Sequence, residues 1–267
     1  MNKKAVMAFH SYKGGTGKTT CITNLAAHYA NLGYKVCLID FDIYAPSLTS
    51  YFEYTPNKYI HHLLTGETDI NEVLVNYTPK LDIKGELHIA FSSPRKEDIH
   101  QIEINYDNKF QINALKKFLQ IKKQLQEKNK FDYILIDTSP GIRFWSINAL
   151  ALADKLFFLL KINNMDINGT QKMIKEIYES LTRFGLSTHL ILNKVPGASP
   201  TQEYEPEKFN QTMQEIENTL DTPISLTIPC YCDIQFNREE FLWVLKNPEH
   251  PFSKRIKEIP QLLTTLH

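Results

Sequence analysis

The chain has 267 residues, 42% hydrophobic and 22% charged, with 30 basic residues against 30 acidic ones. That composition excludes a disordered chain, a collagen-like repeat and a disulfide-bonded mini-protein. Zero net charge excludes a whole-chain field that would draw the protein to DNA or anionic lipid.

Reading from the N-terminus, Lys3 and Lys4 precede an apolar run of only Ala5–Phe9. It is too short for a signal-peptide core and reads as a first strand. Further β-rich apolar runs are Lys35–Asp40, Phe131–Asp137, Lys155–Ile162, Ser187–Leu192 and Ile224–Ile228. Several are apolar almost throughout, as in a parallel sheet covered on both faces. Helical periodicity fills the intervals at Thr19–Leu32, Gln111–Asn129, Trp145–Ala153, Asn168–Phe184, Pro206–Leu220 and Arg238–Lys246. Gly33 and Gly185 stand where two of these helices should stop. The middle, 43–110, is less regular; Leu81–Ile83, Gly85 and Leu87–Phe91 suggest a local hairpin or an edge pair. In the lysine-dotted stretch 109–130, Phe110, Leu115, Phe118, Leu119 and Leu125 are expected to face inward and the lysines outward. The alternation predicts an α/β fold, a doubly wound, mostly parallel sheet with helices on both faces. One domain spanning 1–267 is expected, its C-terminal helical segment from about 237 packing on the body. Four cysteines, at 21, 37, 230 and 232, do not make a disulfide framework. No apolar run approaches a membrane span. The expectation is a reduced, cytoplasmic protein.

Glycines are scarce, ten in all, yet three fall at Gly14, Gly15 and Gly17. The stretch Lys13-Gly-Gly-Thr-Gly-Lys-Thr-Thr20 follows the first strand and opens the first helix. Closely spaced glycines let backbone N–H groups curl around an anion, and the helix N-terminus adds its positive dipole end. Lys18 then reaches the β- and γ-phosphates, and the Thr19 hydroxyl is placed for Mg²⁺. A dinucleotide-binding loop is the rival, since Gly15-Thr-Gly17 begins G-x-G-x-x-G. It fails at the third glycine, which is Thr20, and has no use for Lys18. The standard phosphate loop, G-x-x-x-x-G-K-[ST], fails at its first glycine, which falls on Tyr12.

What stands instead is K-G-G-x-G-K-T, and this resembles the deviant Walker A motif of the ParA/MinD superfamily of P-loop ATPases. The resemblance implies ATP and Mg²⁺ as cofactors, with Gly14, Gly15, Thr16, Gly17, Lys18, Thr19 and Thr20 around the phosphates. It also implies that Lys13 reaches across a dimer interface to the partner's nucleotide. Asp40 and Asp42, two apart on a strand, share one face at its C-terminal end. Asp42 matches the family's switch I aspartate, which positions the attacking water, and Asp40 is expected to support the metal's shell. Phe131-Asp-Tyr-Ile-Leu-Ile-Asp137 has the Walker B form, with Asp137 on Mg²⁺ through water. Thr138-Ser-Pro-Gly141 resembles switch II, where Gly141 yields its backbone to a γ-phosphate; Arg143 follows in the same loop. In Ile191-Leu-Asn-Lys194, Asn193 offers a donor and an acceptor suited to adenine, and Ile228-Pro229 matches the segment beside the base.

Within such a family, ATP closes a two-fold dimer, and slow hydrolysis opens it, so that binding of a further partner follows the nucleotide state. The reading placed first is a ParA/MinD-type positioning or partitioning ATPase with an unidentified protein partner. A membrane-binding member should end in a basic amphipathic helix. Here Phe252, Ile256, Ile259, Leu262, Leu263 and Leu266 have helical spacing, but Pro260 interrupts the run and the final eight residues lack Lys and Arg. That segment is expected to pack on the body, and membrane binding is not expected. Neutral net charge does not favour DNA binding. The second reading is an Mrp-type iron–sulfur or cargo carrier, suggested by Asp42-Ile-Tyr-Ala-Pro-Ser47 and by Cys230-Tyr-Cys232, although those carriers use C-x-x-C. A third, a non-hydrolysing ATP-binding regulator, is disfavoured by Asp42 and Asp137 standing together.

Overall fold

The computed structural model describes residues 5–104, 108–181, 186–196, 206–236 and 242–263. Among them runs one eight-stranded sheet: β1 (Ala5–His10), β2 (Lys35–Phe41), β3 (Leu74–Asn76), β4 (Glu86–Ala90), β5 (Tyr133–Thr138), β6 (Lys155–Leu160), β7 (Ser187–Val195) and β8 (Ile224–Pro229). The order is β3-β4-β2-β5-β1-β6-β7-β8, and every pairing is parallel except β3 with β4. The helical segments in chain order are α1 (Lys18–Asn31), α2 (Leu48–Tyr51), α3 (Ile60–Thr65), α4 (Ile70–Val73), α5 (Lys96–Ile104) and α6 (Asn108–Lys123). They continue as α7 (Phe144–Leu150), α8 (Asn164–Leu181), α9 (Pro206–Leu220), α10 (Cys232–Phe236), α11 (Trp243–Lys246) and α12 (Pro251–Leu262).

The predicted α/β doubly wound sheet is what forms, and side-chain alternation shows why. In β1, Val6 and Ala8 enter one apolar core with Phe118 of α6, Trp145 of α7 and Met173 of α8. Met7 and Phe9 enter the other with Leu25 of α1 and Ile256 of α12. Successive residues of a strand point to opposite faces, so a run that is apolar throughout needs a helical layer on each side. Each large side chain withdrawn from water contributes roughly 1.5–3 kcal/mol.

Several local expectations are corrected. The antiparallel partner of β4 is β3, at 74–76, not Leu81–Ile83. The turn Thr78–Lys80 reverses the chain, and Leu81 and Ile83 pack their side chains on the α1-side core instead of pairing. Leu119 does not face inward: it is 51% exposed, while Phe118, Ile121 and Leu125 make the buried stripe. The last turns of that helix, Gln124–Lys128, widen to a π-helix. Pro260 does not interrupt the C-terminal run; it lies inside α12, two residues from its end. There the missing N–H affects only the final turn, and Phe252, Ile256 and Ile259 are buried in the α1-side core. Of the helix expected at Arg238–Lys246, the described part is helical over Trp243–Lys246, and 237–241 lie outside the described residues. Phe184, Gly185 and Leu266 lie outside them too, as does the side chain of Phe110. No described helix is long and apolar enough to cross a membrane.

Candidate functional site

In a parallel sheet wound both ways, the loops leaving the C-terminal strand ends meet in one crevice. Here β1 leads into residues 11–17, β2 into Asp42–Ser47 and β5 into Ser139–Arg143. Register places Asp40 directly beside Asp137 and Phe9 on the other side of Asp137. The crevice is a cleft of about 380 Å³, lined on one side by Gly14, Gly15, Gly17, Lys18, Thr19 and Thr20. Asp42, Ala45, Ser47, Tyr51, Pro140 and Lys194 close the other sides.

The loop has the curl that its glycines predict. Gly15 and Gly17 take φ of +72° and +92°, a left-handed backbone that favours glycine. Gly17 is required twice over, because a Cβ there would land on the Asn193 side-chain amide. Lys18 is buried and donates to the Ser11 hydroxyl at 2.8 Å, which in turn donates to the Lys13 carbonyl at 2.6 Å. Burial draws the Lys18 ammonium below its ordinary value, against the opposing charges of Asp137 and Asp42. Lys13 is half-buried and has no side-chain partner among the described residues. Tyr12, where a standard loop has glycine, lays its ring where a Gly169 side chain would stand on α8.

The acidic residues converge. Thr19 donates to Asp137 Oδ2 at 2.6 Å. Asp137 Oδ1 and Asp40 Oδ2 are buried with no hydrogen-bond partner. Burial raises both carboxyls: Asp137 to about 6, against the pull of Lys18, and Asp40 well above its ordinary value, with Asp137 and Asp42 adding to the effect there. Buried carboxylates with orphaned oxygens beside a threonine hydroxyl are the oxygen donors that suit Mg²⁺, so the site fits that ion. Asp42 is half-buried at the rim; its carboxylate accepts from the Ser139 hydroxyl at 2.7 Å and from the Ala45 N–H at 3.1 Å. The guanidinium of Arg143 stacks 4.3 Å over the Tyr44 ring, joining the loops after β5 and β2. Gly141, at φ +80°, donates its N–H to the Ser11 carbonyl at 2.9 Å.

Asn193 ends up under the loop and does not line the cleft. Its amide donates to the Thr16 carbonyl at 2.7 Å and lies 3.8 Å from Cys21 Sγ, and its oxygen accepts the Lys194 N–H at 2.9 Å. Pro229 pairs with Val195 at the end of β8. Thr20 meets the Tyr51 hydroxyl at 2.7 Å. Ser11, Ser139 and Tyr51 were not singled out from sequence. Ser139 sits inside a motif that was, but its partner is 97 residues away, and Tyr51 carries no sequence signal. Cys230 is partly buried and Cys232 exposed, and neither is in a disulfide. Among the described residues no three His, Cys, Asp or Glu side chains gather so as to hold a metal by themselves, and no observation favours the cluster-carrier reading.

Comparison with known proteins bears on the family and the fold. Residues 4–187 match the family model described as an AAA domain. The chromosome-partitioning ATPase Soj of Treponema pallidum is 29% identical over 190 residues, covering 71% of this chain and 69% of its own. The septum site-determining protein MinD of Pyrococcus horikoshii, solved with Mg-ADP, superposes with a TM-score of 0.71 at 22% identity, over 98% of this chain and 96% of that one. A chain of the MinC:MinD cell division complex of Aquifex aeolicus gives 0.73 at 21%, over 98% and 97%. At such identities the two structural likenesses speak to the fold.

Proposed function

Since the chain belongs to the ParA/MinD superfamily of P-loop ATPases, we propose that it is a dimerising switch ATPase in which slow hydrolysis of Mg-ATP controls binding of a partner protein in cellular positioning or partitioning. The observation that carries this reading is the convergence of the glycine loop, the Thr19–Asp137 pair and Asp42 on one cleft.

We read residues 1–267 as one such ATPase domain, working in the cytoplasm. The backbone of Gly14–Gly17 cradles the phosphates, with Thr20 beside them, and Lys18 neutralises charge that builds on the β- and γ-oxygens. Thr19 and Asp137 hold Mg²⁺, with Asp40 behind them. The ion, when bound, supplies positive charge to the phosphate oxygens. Asp42, at the rim, orients the attacking water. Asn193 and Pro229 shape the base side, Asn193 through its brace on Thr16. Lys13, with no partner of its own in the described chain, serves the nucleotide of a second copy. The Gly141 N–H is engaged by Ser11, so offering it to a γ-phosphate requires the loop after β5 to shift. That exchange couples nucleotide state to the surface around Ile142 and Arg143, both exposed.

The test uses two variants. Asp42→Ala should give a species of twice the monomer mass by light scattering with Mg-ATP, and Lys13→Ala should bind ATP without hydrolysing it. An Asp42→Ala chain that stays monomeric with Mg-ATP defeats the switch reading.

A further inference from the structure

We propose that Ser139 is the positioning residue for Asp42: its buried hydroxyl sets the orientation of the carboxylate that directs the attacking water. The inference rests on the reading of Asp42 given above.

Ser139 is fully buried, and its Oγ stands 2.7 Å from Asp42 Oδ1 and 3.4 Å from the Phe41 carbonyl. A serine has one proton to donate, and the shorter contact goes to the charged acceptor, which makes the stronger bond. The other contact to the same oxygen is the Ala45 N–H at 3.1 Å, from an exposed turn. Asp42 is therefore aimed by one rigid donor and one surface donor. The rigid donor is itself held. Ser146, buried at the start of α7, donates to the Ser139 carbonyl at 3.0 Å, and β5 ends in a fully buried strand just before it. A chain of bonds thus runs from α7 through Ser139 to the carboxylate at the rim of the cleft. A carboxylate that orients water loses efficiency when its own direction is free. Ser139 lies outside the set of residues lining the cleft, so its loss should leave nucleotide binding intact.

Steady-state ATPase kinetics and calorimetric ATP titration would be run on the full chain with Mg²⁺ for wild type, Ser139→Ala, Ser139→Cys and Ser139→Thr. Ser139→Ala should lower kcat roughly tenfold or more, the loss of one hydrogen bond to a charged group, with KM and Kd within about twofold of wild type. Ser139→Thr should restore most of the rate, and Ser139→Cys, a weak donor, should fall between. On an Asp42→Asn background, Ser139→Ala should add almost nothing. A Ser139→Ala chain that turns over at the wild-type rate or faster overturns the proposal, because the bond then either does nothing or restrains Asp42. A parallel loss of Kd, unrescued by Ser139→Thr, overturns it by showing a structural role. An Asp42→Asn chain that hydrolyses normally overturns the underlying reading of Asp42 as well, a result distinct from failure at Ser139 alone.

Discussion

Asn193 and Thr16 are joined by a 2.7 Å hydrogen bond from the side-chain amide to the loop carbonyl, across 177 residues of chain. The end of β7 thereby holds the phosphate loop in its curl. Gly17 leaves the space through which the amide passes. Gly17→Ala should weaken ATP binding roughly tenfold or more, since a Cβ is strained at that φ and displaces Asn193. Asn193→Ala should lower unfolding stability by about 1–3 kcal/mol, leaving the loop carbonyl without its partner. Calorimetric titration and urea unfolding measure the two effects. Wild-type affinity in Gly17→Ala would show that the loop does not depend on this brace.

A second dependence links the loop to α8. Tyr12 occupies the volume that any side chain at position 169 would need. Gly169→Val should lower stability by about 1–3 kcal/mol through overpacking and weaken ATP binding by moving Tyr12 with the loop. Tyr12→Gly in the same chain should recover most of both, because it empties the contested space. If the double variant is as poor as Gly169→Val, the two positions are not coupled.

Acid should destabilise the chain through buried histidines. Burial holds His10 down to about 3, with the Lys18 charge adding to it, and holds His61 down to about 4. His10 is fully enclosed and meets the Thr138 hydroxyl at 2.6 Å. The same hydroxyl lies 2.8 Å from the Phe9 carbonyl. An unfolded histidine titrates near 6.5. Below that value the unfolded chain takes up protons that the folded chain refuses, and stability falls as pH drops from about 6.5 toward 4. The slope is about 1.4 kcal/mol per pH unit for each such histidine. Asp137, raised to about 6, acts the opposite way in metal-free protein, so the informative quantity is a difference. His10→Gln should show a shallower loss of stability than wild type between pH 6.5 and 5, read by urea unfolding at each pH. Equal slopes would mean that His10 is accessible to protons in the folded state.

The strands, the phosphate loop and the order in which they alternate were legible in the residues themselves. A buried parallel strand must be apolar on both sides, as Tyr133–Thr138 nearly is, and an anion cradle needs glycine where φ is positive, as at Gly15 and Gly17. Both are local demands, and local demands are written in consecutive residues. The antiparallel partner of β4 was not legible, because a three-residue edge strand carries too little pattern and the turn at Thr78–Lys80 chooses its register. Nor was the outward turn of Leu119, which depends on which face of α6 meets the sheet, or the survival of α12 through Pro260, which depends on the apolar seat of Ile256 and Ile259. Scarce glycines clustered at 14–17, with Lys18 and Thr19 after them, marked a phosphate site in the sequence itself. Only the tertiary structure paired Ser139 with Asp42, Asn193 with Thr16 and Tyr12 with Gly169. Such contacts join residues far apart in the chain, and their partners are chosen by the order of strands in the sheet.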